Sequence, residues 1–202
     1  MAEFAAIILA AGQAARYRAG GGMEASKLIA DIGGVPMVRH VALAALASRA
    51  RPVIVVTGHA QGAVEAALAG LDVGTAHNPL FATGMASSLK AGIAALPAGA
   101  AGAVVLLADM PRVEAAVIDQ LIEALTANPG ACAAVPVFQG RRGNPVALAT
   151  SLLPAIMTLS GDEGARRLLE GYGAVVEVAV SDSAVTLDVD TPDALASLRA
   201  TH

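Results

Sequence analysis

Short apolar runs alternate with longer amphipathic segments along the whole chain. Runs such as AAIILA, VIVV and AVVLLA are apolar at every position, which is typical of parallel strands buried on both faces. This pattern predicts strands over Ala5–Ala10, Pro52–Thr57, Val73–His77, Ala103–Ala108, Ala131–Phe138, Val146–Ala149, Ala174–Val180 and Val185–Leu187. Helical spacing predicts helices over Pro36–Ser48, Gln61–Ala69, Met85–Leu96, Val113–Ala127, Ser151–Leu159, Glu163–Glu170 and Pro192–Ala200.

The alternation of strands and helices predicts an α/β fold. We expect a three-layer α/β/α sandwich around a mostly parallel, Rossmann-like sheet, because strands that are apolar throughout need helices on both faces. Val135–Ala149 contains a strand, a turn rich in Gly and Arg, and a second strand, which predicts a small β-hairpin insertion. Neither a polar linker nor an internal repeat interrupts the pattern, so we expect a single domain over residues 1–202.

Helix boundaries carry their own signals. Pro36 suits a first helical position, and Asp162 and Thr191 can cap the last two helices, with Pro192 behind Thr191. These residues make the predicted ends of three helices specific enough to be checked.

Composition excludes several classes of protein. Hydrophobic residues make up 55% of the 202 residues and mean hydropathy is +0.63, yet the chain has no breaker-free run of about 18 apolar residues, as a membrane span requires. The nearest candidate, Ile93–Ala108, is interrupted by Pro97, Gly99 and Gly102. The amino terminus carries Glu3 where an export signal needs Lys or Arg. We therefore expect a soluble, cytoplasmic protein without a membrane partner.

Charge and cysteine content limit the ligands and the kinds of metal site that the chain can have. A net charge of -4 argues against nucleic acid as a partner, since binding to its backbone needs a basic face. Cys132 is the only cysteine, which excludes internal disulfides and Cys-based metal sites, and the four histidines show no metal-ligand spacing. An acidic protein can still bind a polyanion where a metal ion and a few cations share one pocket.

The first predicted strand leads into Leu9-Ala10-Ala11-Gly12, followed by Arg16, a glycine-rich stretch and Lys27. Small residues let a ligand approach the backbone, successive N–H groups can hold phosphate oxygens, and the two cations suit a triphosphate. An ordinary loop with solvated charges fits this segment equally well. Neither the Walker A motif nor the G-x-G of a dinucleotide-binding turn is present.

Carboxylates follow two other predicted elements. Asp109 comes directly after the fourth strand, and Asp188 and Asp190 precede the last helix. Ligands bind at the carboxyl ends of strands in such sheets, so these side chains could hold a divalent cation there. Helix capping is the alternative function for each, although Thr191 can cap the last helix without them.

A further polar segment follows the third strand and opens a helix. It runs from Asn78 to Leu89 and contains Gly84, Ser87 and Ser88. Helix N–H groups and two hydroxyls suit an anion, or a ribose and base. A capped amphipathic helix without a ligand is the alternative.

In this order, the motifs together resemble the GT-A-like nucleotidyltransferases of the nucleotide-diphospho-sugar transferase type. The resemblance is greatest to the molybdenum cofactor cytidylyltransferase group of MobA-like NTP transferases, and it spans essentially the whole chain. LAAG alone is a weak signal, whereas the combination is much more specific. The motifs are LAAG at Leu9–Gly12 with Arg16 and Lys27, NPLFATGMASSL at Asn78–Leu89, ADMP at Ala108–Pro111, GNPV at Gly143–Val146, GDEGAR at Gly161–Arg166 and DVDTP at Asp188–Pro192.

This resemblance implies transfer of CMP from CTP to the phosphate of molybdopterin carrying Mo, with release of pyrophosphate. The form LAAG, where the guanylyltransferases have LAGG, points to CTP. A molybdoenzyme that receives the product is the protein partner it suggests.

The resemblance also implies roles for individual residues. Arg16, Lys27 and Asp109 would be catalytic, and Mg²⁺ would be held by Asp109 and Asp190 with Asp188 in support. The residues expected around the nucleotide are Leu9, Ala10, Ala11, Gly12, Arg16, Lys27, Gly84, Ser87, Ser88 and Asp109. Those expected on the acceptor side are Asn144, Pro145, Gly161, Asp162 and Arg166.

One segment departs from the family pattern. The interval between Arg16 and Lys27 is about twice the usual length, because it contains a glycine-rich piece over residues 17–26. Arg18 could therefore take part of the role of Lys27. Transfer to a polyol or sugar phosphate, guanylyl transfer to the molybdenum cofactor, and a non-catalytic protein that binds nucleotide or pterin remain alternatives.

Overall fold

The computed structural model describes residues 3–22, 24, 26–169, 171 and 174–200, and within these ranges it leaves the side chains at positions 15, 16 and 166 undescribed. The strands are β1 Phe4–Ala10, β2 Asp31–Ile32, β3 Val35–Pro36, β4 Val53–Thr57, β5 Gly74–His77, β6 Gly102–Leu107, β7 Ala133–Phe138, β8 Arg141–Arg142, β9 Val146–Ala149 and β10 Val175–Ala179. The α-helices are α1 Ala15–Ala19, α2 Met37–Ala47, α3 Gln61–Ala67, α4 Met85–Ala94, α5 Ala115–Ala127, α6 Leu153–Ile156, α7 Ala165–Leu169 and α8 Pro192–Arg199.

The main sheet has the strand order β10-β7-β9-β6-β1-β4-β5, with β8 paired to β7. Strands β6, β1, β4 and β5 are parallel to one another, and β10 is parallel to β7. Strand β9 is antiparallel to both of its neighbours. The predicted mostly parallel sheet is confirmed, and β9 is the strand that returns from the inserted hairpin.

Both faces of the sheet are covered, as the continuous apolar strands require. Along β1, Phe4, Ala6 and Ile8 pack with residues of α2 and α5, whereas Ile7 points to the face covered by α4. Small residues allow α4 to lie close to the sheet: a Cβ atom at Gly92 would come within 2.5 Å of the Ile7 side chain. The predicted α/β/α layering follows from this packing.

The predicted strand Val185–Leu187 is wrong. This segment forms a 3-10 turn over Ser183–Thr186, capped by Asp182, whose carboxylate accepts from the Ala184 N–H at 2.8 Å. The Val185 carbonyl accepts from the Asn144 N–H at 2.8 Å, so it bonds to the inserted hairpin instead of a neighbouring strand.

Sequence patterning also missed the small hairpin of β2 and β3. Its two-residue strands are too short to show any periodicity, and the turn between them is Gly33-Gly34, both with positive φ. Pro36 ends β3 and precedes α2, so it is not the first helical residue.

The inserted hairpin is confirmed. Strands β7 and β8 are joined by Gln139 and Gly140, whose φ angles of 48° and 78° are those of a type I′ turn. The chain then passes through Gly143, where a Cβ atom would lie 2.2 Å from the Val185 carbonyl oxygen. This close approach presses the hairpin against the segment that leads to the acidic residues at 188 and 190.

Two helix boundaries test the capping signals. Thr191 caps α8 as predicted, since its hydroxyl accepts from the Ala194 N–H at 3.2 Å and Pro192 begins the helix. Helix α7 begins at Ala165, so Asp162 does not occupy the predicted capping position. Among the described residues, no helix is long and apolar enough to cross a membrane.

Arg51 closes the carboxyl end of α2. Its guanidinium donates to the carbonyls of Ser48 at 3.0 Å and Ala50 at 2.6 Å, and also to those of Leu46 and Ala45. The Ala45 carbonyl also accepts from the Ser48 N–H. The guanidinium gives the carbonyls at this end of the helix a further donor and opposes the negative end of the helix dipole.

We expect Arg51→Ala to lower the free energy of unfolding by about 1–2 kcal/mol, because several charge-assisted hydrogen bonds are lost. Urea denaturation followed by circular dichroism measures the change. Arg49→Ala is the matched control, because the Arg49 side chain is 58% exposed and its ion pair with Asp119 is worth less than about 1 kcal/mol. Equal losses in the two variants would contradict the capping role.

Candidate active site

The carboxyl ends of β1, β4 and β6 meet at one edge of the sheet, and the predicted site residues gather there. Leu9 lies near the end of β1, and Gly12 lies in the loop beyond it. Asp109 lies two residues after the end of β6 and is joined to the 188–190 segment, because the Val189 N–H donates to the Asp109 carbonyl at 2.9 Å. Three distant parts of the chain therefore meet at one place.

An ammonium between two carboxylates forms the centre of this site. The Lys27 Nζ atom lies 2.8 Å from Asp109 Oδ2 and 2.6 Å from Asp190 Oδ1. Lys27 is only 8% exposed and begins a 3-10 turn over Lys27–Ile29, in which the Leu28 N–H donates to the Ser26 hydroxyl at 3.3 Å. Ser26 and Leu28 are themselves buried, so the backbone that carries the ammonium is well anchored.

Asp188 completes a group of three carboxylates. Asp109, Asp188 and Asp190 each offer an oxygen, and these oxygens lie within 4.8 Å of one another. Carboxylate oxygens at this spacing are the donors that Mg²⁺ and Mn²⁺ prefer. The donor set therefore fits a divalent cation, although the Lys27 ammonium is in contact with two of its members.

The pKa values of the cluster reflect this arrangement. Burial alone would lower the pKa of Lys27, but the charges and hydrogen bonds of Asp109 and Asp190 outweigh it and raise that pKa above its usual value. Lys27 is therefore a stable cation at neutral pH. Partial burial, followed by the hydrogen bond and charge of Asp190, raises the pKa of Asp188.

Two adjoining cavities of about 460 and 510 Å³ open beside the charged cluster. Residues that line both of them are Leu9, Gly12, Gln13, Met85, Asp109 and Asp162. Ala11, Phe81, Ala82, Gly84 and Ser88 line the first, whereas Lys27 and Asp190 line the second. The cleft is thus walled by small residues at one end and by charged residues at the other.

The small residues of the first loop differ in what they leave open. A Cβ atom at Gly12 would meet nothing within 4 Å, so this position leaves the backbone accessible from the cleft. Ala11 is 2% exposed, and a Cβ atom at Gly58 would lie 2.8 Å from the Ala11 methyl and 2.7 Å from the Phe81 Cβ. The Ala11 methyl therefore packs beside Gly58 and Phe81 at the wall of the first cavity, whereas Ala10 is buried in the core.

Asn78 holds the two predicted serines. Its side-chain amide donates to the hydroxyls of Ser87 at 2.8 Å and Ser88 at 3.0 Å, and its side-chain oxygen accepts from the Leu80 N–H at 2.9 Å. Ser88 lines the first cavity, whereas Ser87 also donates to the carbonyls of Gly84 or Leu80. Sequence reasoning missed this function of Asn78, although an Asn directly after a strand is a recognisable signal.

The start of α4 is fastened to the loop before α7. The Ala86 N–H donates to the Gly161 carbonyl at 3.0 Å, and Gly84 has a φ of 112°. A Cβ atom at Gly84 would lie 2.2 Å from the Gly161 carbonyl, so both the conformation and the space require glycine. The Ala86 N–H is thus bonded within the protein, and Gly161 acts as part of the frame.

A third cavity, of about 350 Å³, adjoins the cleft at Met85 and Asp162. Its walls are mostly apolar: Leu9, Met85, Leu89, Val105, Leu107, Val146 and Ala165, with Asn144, Asp162, Gly164 and Arg167. Asn144 and Asp162, which were predicted for the acceptor side, line this third cavity, whereas Pro145 is buried next to Asn144.

Met85, Gln13 and Phe81 were not predicted, because nothing in an isolated sequence marks an apolar or amide side chain as a cavity wall.

The glycine-rich segment folds back onto Tyr17. The Tyr17 hydroxyl donates to Glu24 at 2.5 Å, and a Cβ atom at Gly22 would lie 2.1 Å from the Tyr17 ring. Burial and this hydrogen bond raise the pKa of Tyr17 to about 12. Arg18 points elsewhere, with Nη1 3.5 Å from His59 Nε2, so Lys27 and not Arg18 reaches the carboxylates.

Two predicted cations, Arg16 and Arg166, have side chains that lie outside the described part of the structure. Their assignments to the nucleotide and the acceptor stay predictions.

Comparison with protein families is consistent with this geometry. The model of the MobA-like NTP transferase domain matches residues 6–193. The chain belongs to this family.

Individual relatives are similar to parts or all of the chain. The purine catabolism protein PucB of Bacillus subtilis (strain 168) is 41% identical over 99 residues, which are 47% of this chain and 45% of PucB. The alignment thus spans less than half of that relative. Crystal structures of Rv0371c from Mycobacterium tuberculosis H37Rv superpose with TM-scores of 0.84 and, in a complex with manganese, 0.78. Identity is 25% and 24%, and each covers 99% of this chain and 100% of Rv0371c.

A structure of CMP:2-keto-3-deoxy-manno-octonic acid synthetase complexed with CTP has a TM-score of 0.75 at 18% identity and covers 98% of each chain. At that identity the likeness concerns the fold. The predicted family resemblance is confirmed at the level of MobA-like NTP transferases, whereas the narrower cytidylyltransferase group belongs to the proposal below.

Asp188→Asn should stabilise the folded protein at neutral pH. A raised pKa in the folded state means that the charged form of Asp188 destabilises the folded protein. This destabilisation is absent below the usual pKa of 3.8, grows between that value and the raised pKa, and is fully present above it. Asparagine removes this charge and can still donate to Asp190. We expect a gain of less than about 1 kcal/mol, because Asp188 is exposed to solvent.

Thermal unfolding of both proteins at pH 7 and at pH 3.5 checks this prediction. The difference should be present at pH 7 and absent at pH 3.5. A variant less stable than the wild type at pH 7 would contradict the raised pKa.

Proposed function

We propose that this protein is a nucleotidyltransferase that transfers CMP from CTP to the phosphate of molybdopterin in the molybdenum cofactor, with release of pyrophosphate. The observation that carries the proposal is the meeting of Lys27, Asp109 and Asp190 at 2.6–2.8 Å beside a cleft lined by small residues. A polyanionic nucleotide needs positive charge and a place for its backbone. Among the described residues, this edge of the sheet offers the Lys27 ammonium, three carboxylates that could hold a divalent cation, and an open loop at Gly12.

The acidic group supports Mg²⁺ as the cofactor. Asp109 and Asp190, with Asp188 in support, would hold the ion by their carboxylates. When bound, a divalent ion supplies positive charge to the phosphate oxygens and helps to orient them. Manganese in a structure of Rv0371c is consistent with a divalent ion in a protein of this fold.

The first cavity suits the nucleoside. Gly12 leaves the loop backbone open to a ligand, and Gly84 and Ser88 lie across the cavity from it, with Ser88 fixed by Asn78. Ala11 lines the same cavity and stands where the guanylyltransferase motif LAGG has a glycine. This supports a pyrimidine base, in agreement with the LAAG form of the motif.

The charged end of the cleft suits the triphosphate. Lys27 is a buried cation with an anchored backbone, so its ammonium can donate to phosphate oxygens without a large change in the chain. Arg16 is proposed as the second cation of this end, on the basis of its position in the motif. Together these charges would balance the pyrophosphate that leaves.

The acceptor requires little help with its proton. A phosphate monoester has a second pKa near 6, so it is largely a dianion at neutral pH and attacks without a general base. One of its oxygens bonds to the α-phosphorus of CTP while the bond to the bridging oxygen of pyrophosphate breaks. The protein's contribution is to align the two polyanions and to offset their charge.

The third cavity favours an acceptor with an apolar or aromatic body. It adjoins the nucleotide cleft at Met85, and most of its walls are apolar, with Asn144, Asp162 and Arg167 as the polar lining residues. A polyol or sugar phosphate would leave its hydroxyls without partners against these walls, which costs binding energy. Molybdopterin, with Arg166 as a proposed further contact, is therefore preferred to those acceptors.

Pyrophosphate release tests the proposal. Purified protein is incubated with Mg²⁺, CTP or GTP, and molybdenum cofactor or a sugar or polyol phosphate. Release that depends on both CTP and molybdenum cofactor supports it. Release with GTP alone indicates guanylyl transfer, release only with the other phosphates indicates another acceptor, and nucleotide binding without release indicates a binding protein.

We expect Asp109→Asn to lower turnover by roughly 10²-fold or more, the scale of losing one strong electrostatic contact in a transition state. Initial rates of CTP-dependent pyrophosphate release measure the effect. Asp72→Asn removes an exposed carboxylate from a turn outside the cleft and should leave the rate unchanged. Near-normal turnover of the Asp109 variant would refute its assignment to the metal.

A further inference from the structure

The Lys27 ammonium lies where a cation is needed to hold the acidic group together. It is 2.8 Å from Asp109 Oδ2 and 2.6 Å from Asp190 Oδ1, and both carboxylates are largely shielded, with side-chain exposures of 21% and 18%. Without an ammonium between them, two partly buried carboxylates would repel each other and lose a charge-assisted hydrogen bond each. The chain thus supplies its own counter-ion to two of the three proposed metal ligands.

A divalent ion and this ammonium compete for the same two carboxylates, those of Asp109 and Asp190. The three carboxylate oxygens span 4.8 Å, so an ion bound to them would be only a few ångströms from the present position of the ammonium. Two cations this close in a partly buried site repel each other strongly. The ammonium must therefore move away when a metal ion binds to Asp109 and Asp190.

We propose that Lys27 is the resident cation of the metal site, a positioning residue that holds Asp109 and Asp190 in place and leaves them only when metal and nucleotide arrive together. This rests on the proposed function, which supplies both ligands. The ammonium would give up its contacts with two carboxylates and gain contacts with phosphate oxygens. The free energy of the lost contacts is therefore recovered only when a nucleotide is present. Metal binding and nucleotide binding are then positively coupled through Lys27.

The local structure allows such an exchange through the side chain alone. The turn that begins at Lys27 is fixed by the hydrogen bond from the Leu28 N–H to Ser26 and by that from the Ala30 N–H to the Lys27 carbonyl at 3.1 Å. Lys27 and Gly12 both line the 510 Å³ cavity. Rotation of a long, flexible side chain can therefore redirect the ammonium into the cleft while the backbone remains in place.

Direct binding of Mn²⁺ to the nucleotide-free protein tests this proposal without measuring catalysis. Enhancement of water proton relaxation reports Mn²⁺ bound to a macromolecule, and we expect Lys27→Met to bind it at least about tenfold more tightly than the wild type. Lys27→Arg keeps the charge and should bind as weakly as the wild type. The chain has only two lysines, so Lys90→Met, on α4, is the matched control and should also resemble the wild type.

Addition of CTP separates the two proposals. In the wild type, CTP should tighten Mn²⁺ binding more than it does in Lys27→Met, because only the wild type has an ammonium to release. Equal or weaker Mn²⁺ binding by nucleotide-free Lys27→Met overturns the resident-cation role, as does tight binding by Lys27→Arg. If the wild type still binds Mn²⁺ with CTP, the proposed function survives that result. Absence of protein-bound Mn²⁺ in every form, with or without CTP, overturns the metal assignment and this inference together.

A loss of folding in Lys27→Met is also informative. Two shielded carboxylates without their counter-ion would lower the thermal midpoint, and Mn²⁺ should then raise it more in the variant than in the wild type. An equal or smaller rise in the variant overturns the proposal, because a residue that only supports the fold would not compete with the metal.

Discussion

The contact of one ammonium with two carboxylates joins parts of the chain that are 82 and 163 residues apart. Lys27 comes from the long first loop, Asp109 from the end of β6, and Asp190 from the approach to α8. Burying either carboxylate alone would cost desolvation free energy, and the same ammonium offsets that cost for both of them. The geometry of the cleft depends on this contact, because it fixes where the first loop and the carboxyl-terminal segment lie relative to the sheet.

The parallel sheet makes that contact possible. Strands β1, β4 and β6 point the same way, so the loops after them converge on one edge, and small residues allow the helices behind them to pack closely. The antiparallel β9 interrupts this regular order and brings Asn144 to the same edge, where its N–H bonds to the Val185 carbonyl. One set of contacts therefore positions both the charged cleft and the apolar cavity next to it.

Sequence patterns predicted the main strands, the layering and the hairpin, because each rests on long apolar runs. They also singled out the three carboxylates that the fold brings together, Asp109 from its place after an apolar run and Asp188 and Asp190 from their place before the last helix. They failed where structure depends on a distant partner. The apolar residues around Val185 predict a strand, but in the fold the Val185 carbonyl accepts a hydrogen bond from the Asn144 N–H. The two-residue strands β2 and β3 are too short to show a period. The bond from Tyr17 to Glu24 lies in a segment whose glycines indicate only a loop.

The sequence also indicated what Lys27 is but could not show what it touches. In a motif, a lysine after a small-residue loop suggests a phosphate ligand, whereas the folded chain places it on carboxylates. Both interactions follow from one property, a flexible side chain with a compact charge on an anchored backbone. A cation that must serve an acidic group before substrate binds and a polyanion afterwards needs that mobility, and a guanidinium held in a fixed fork would provide less of it. Under the proposed function, a lysine at this position therefore lets the site accommodate three carboxylates and a triphosphate.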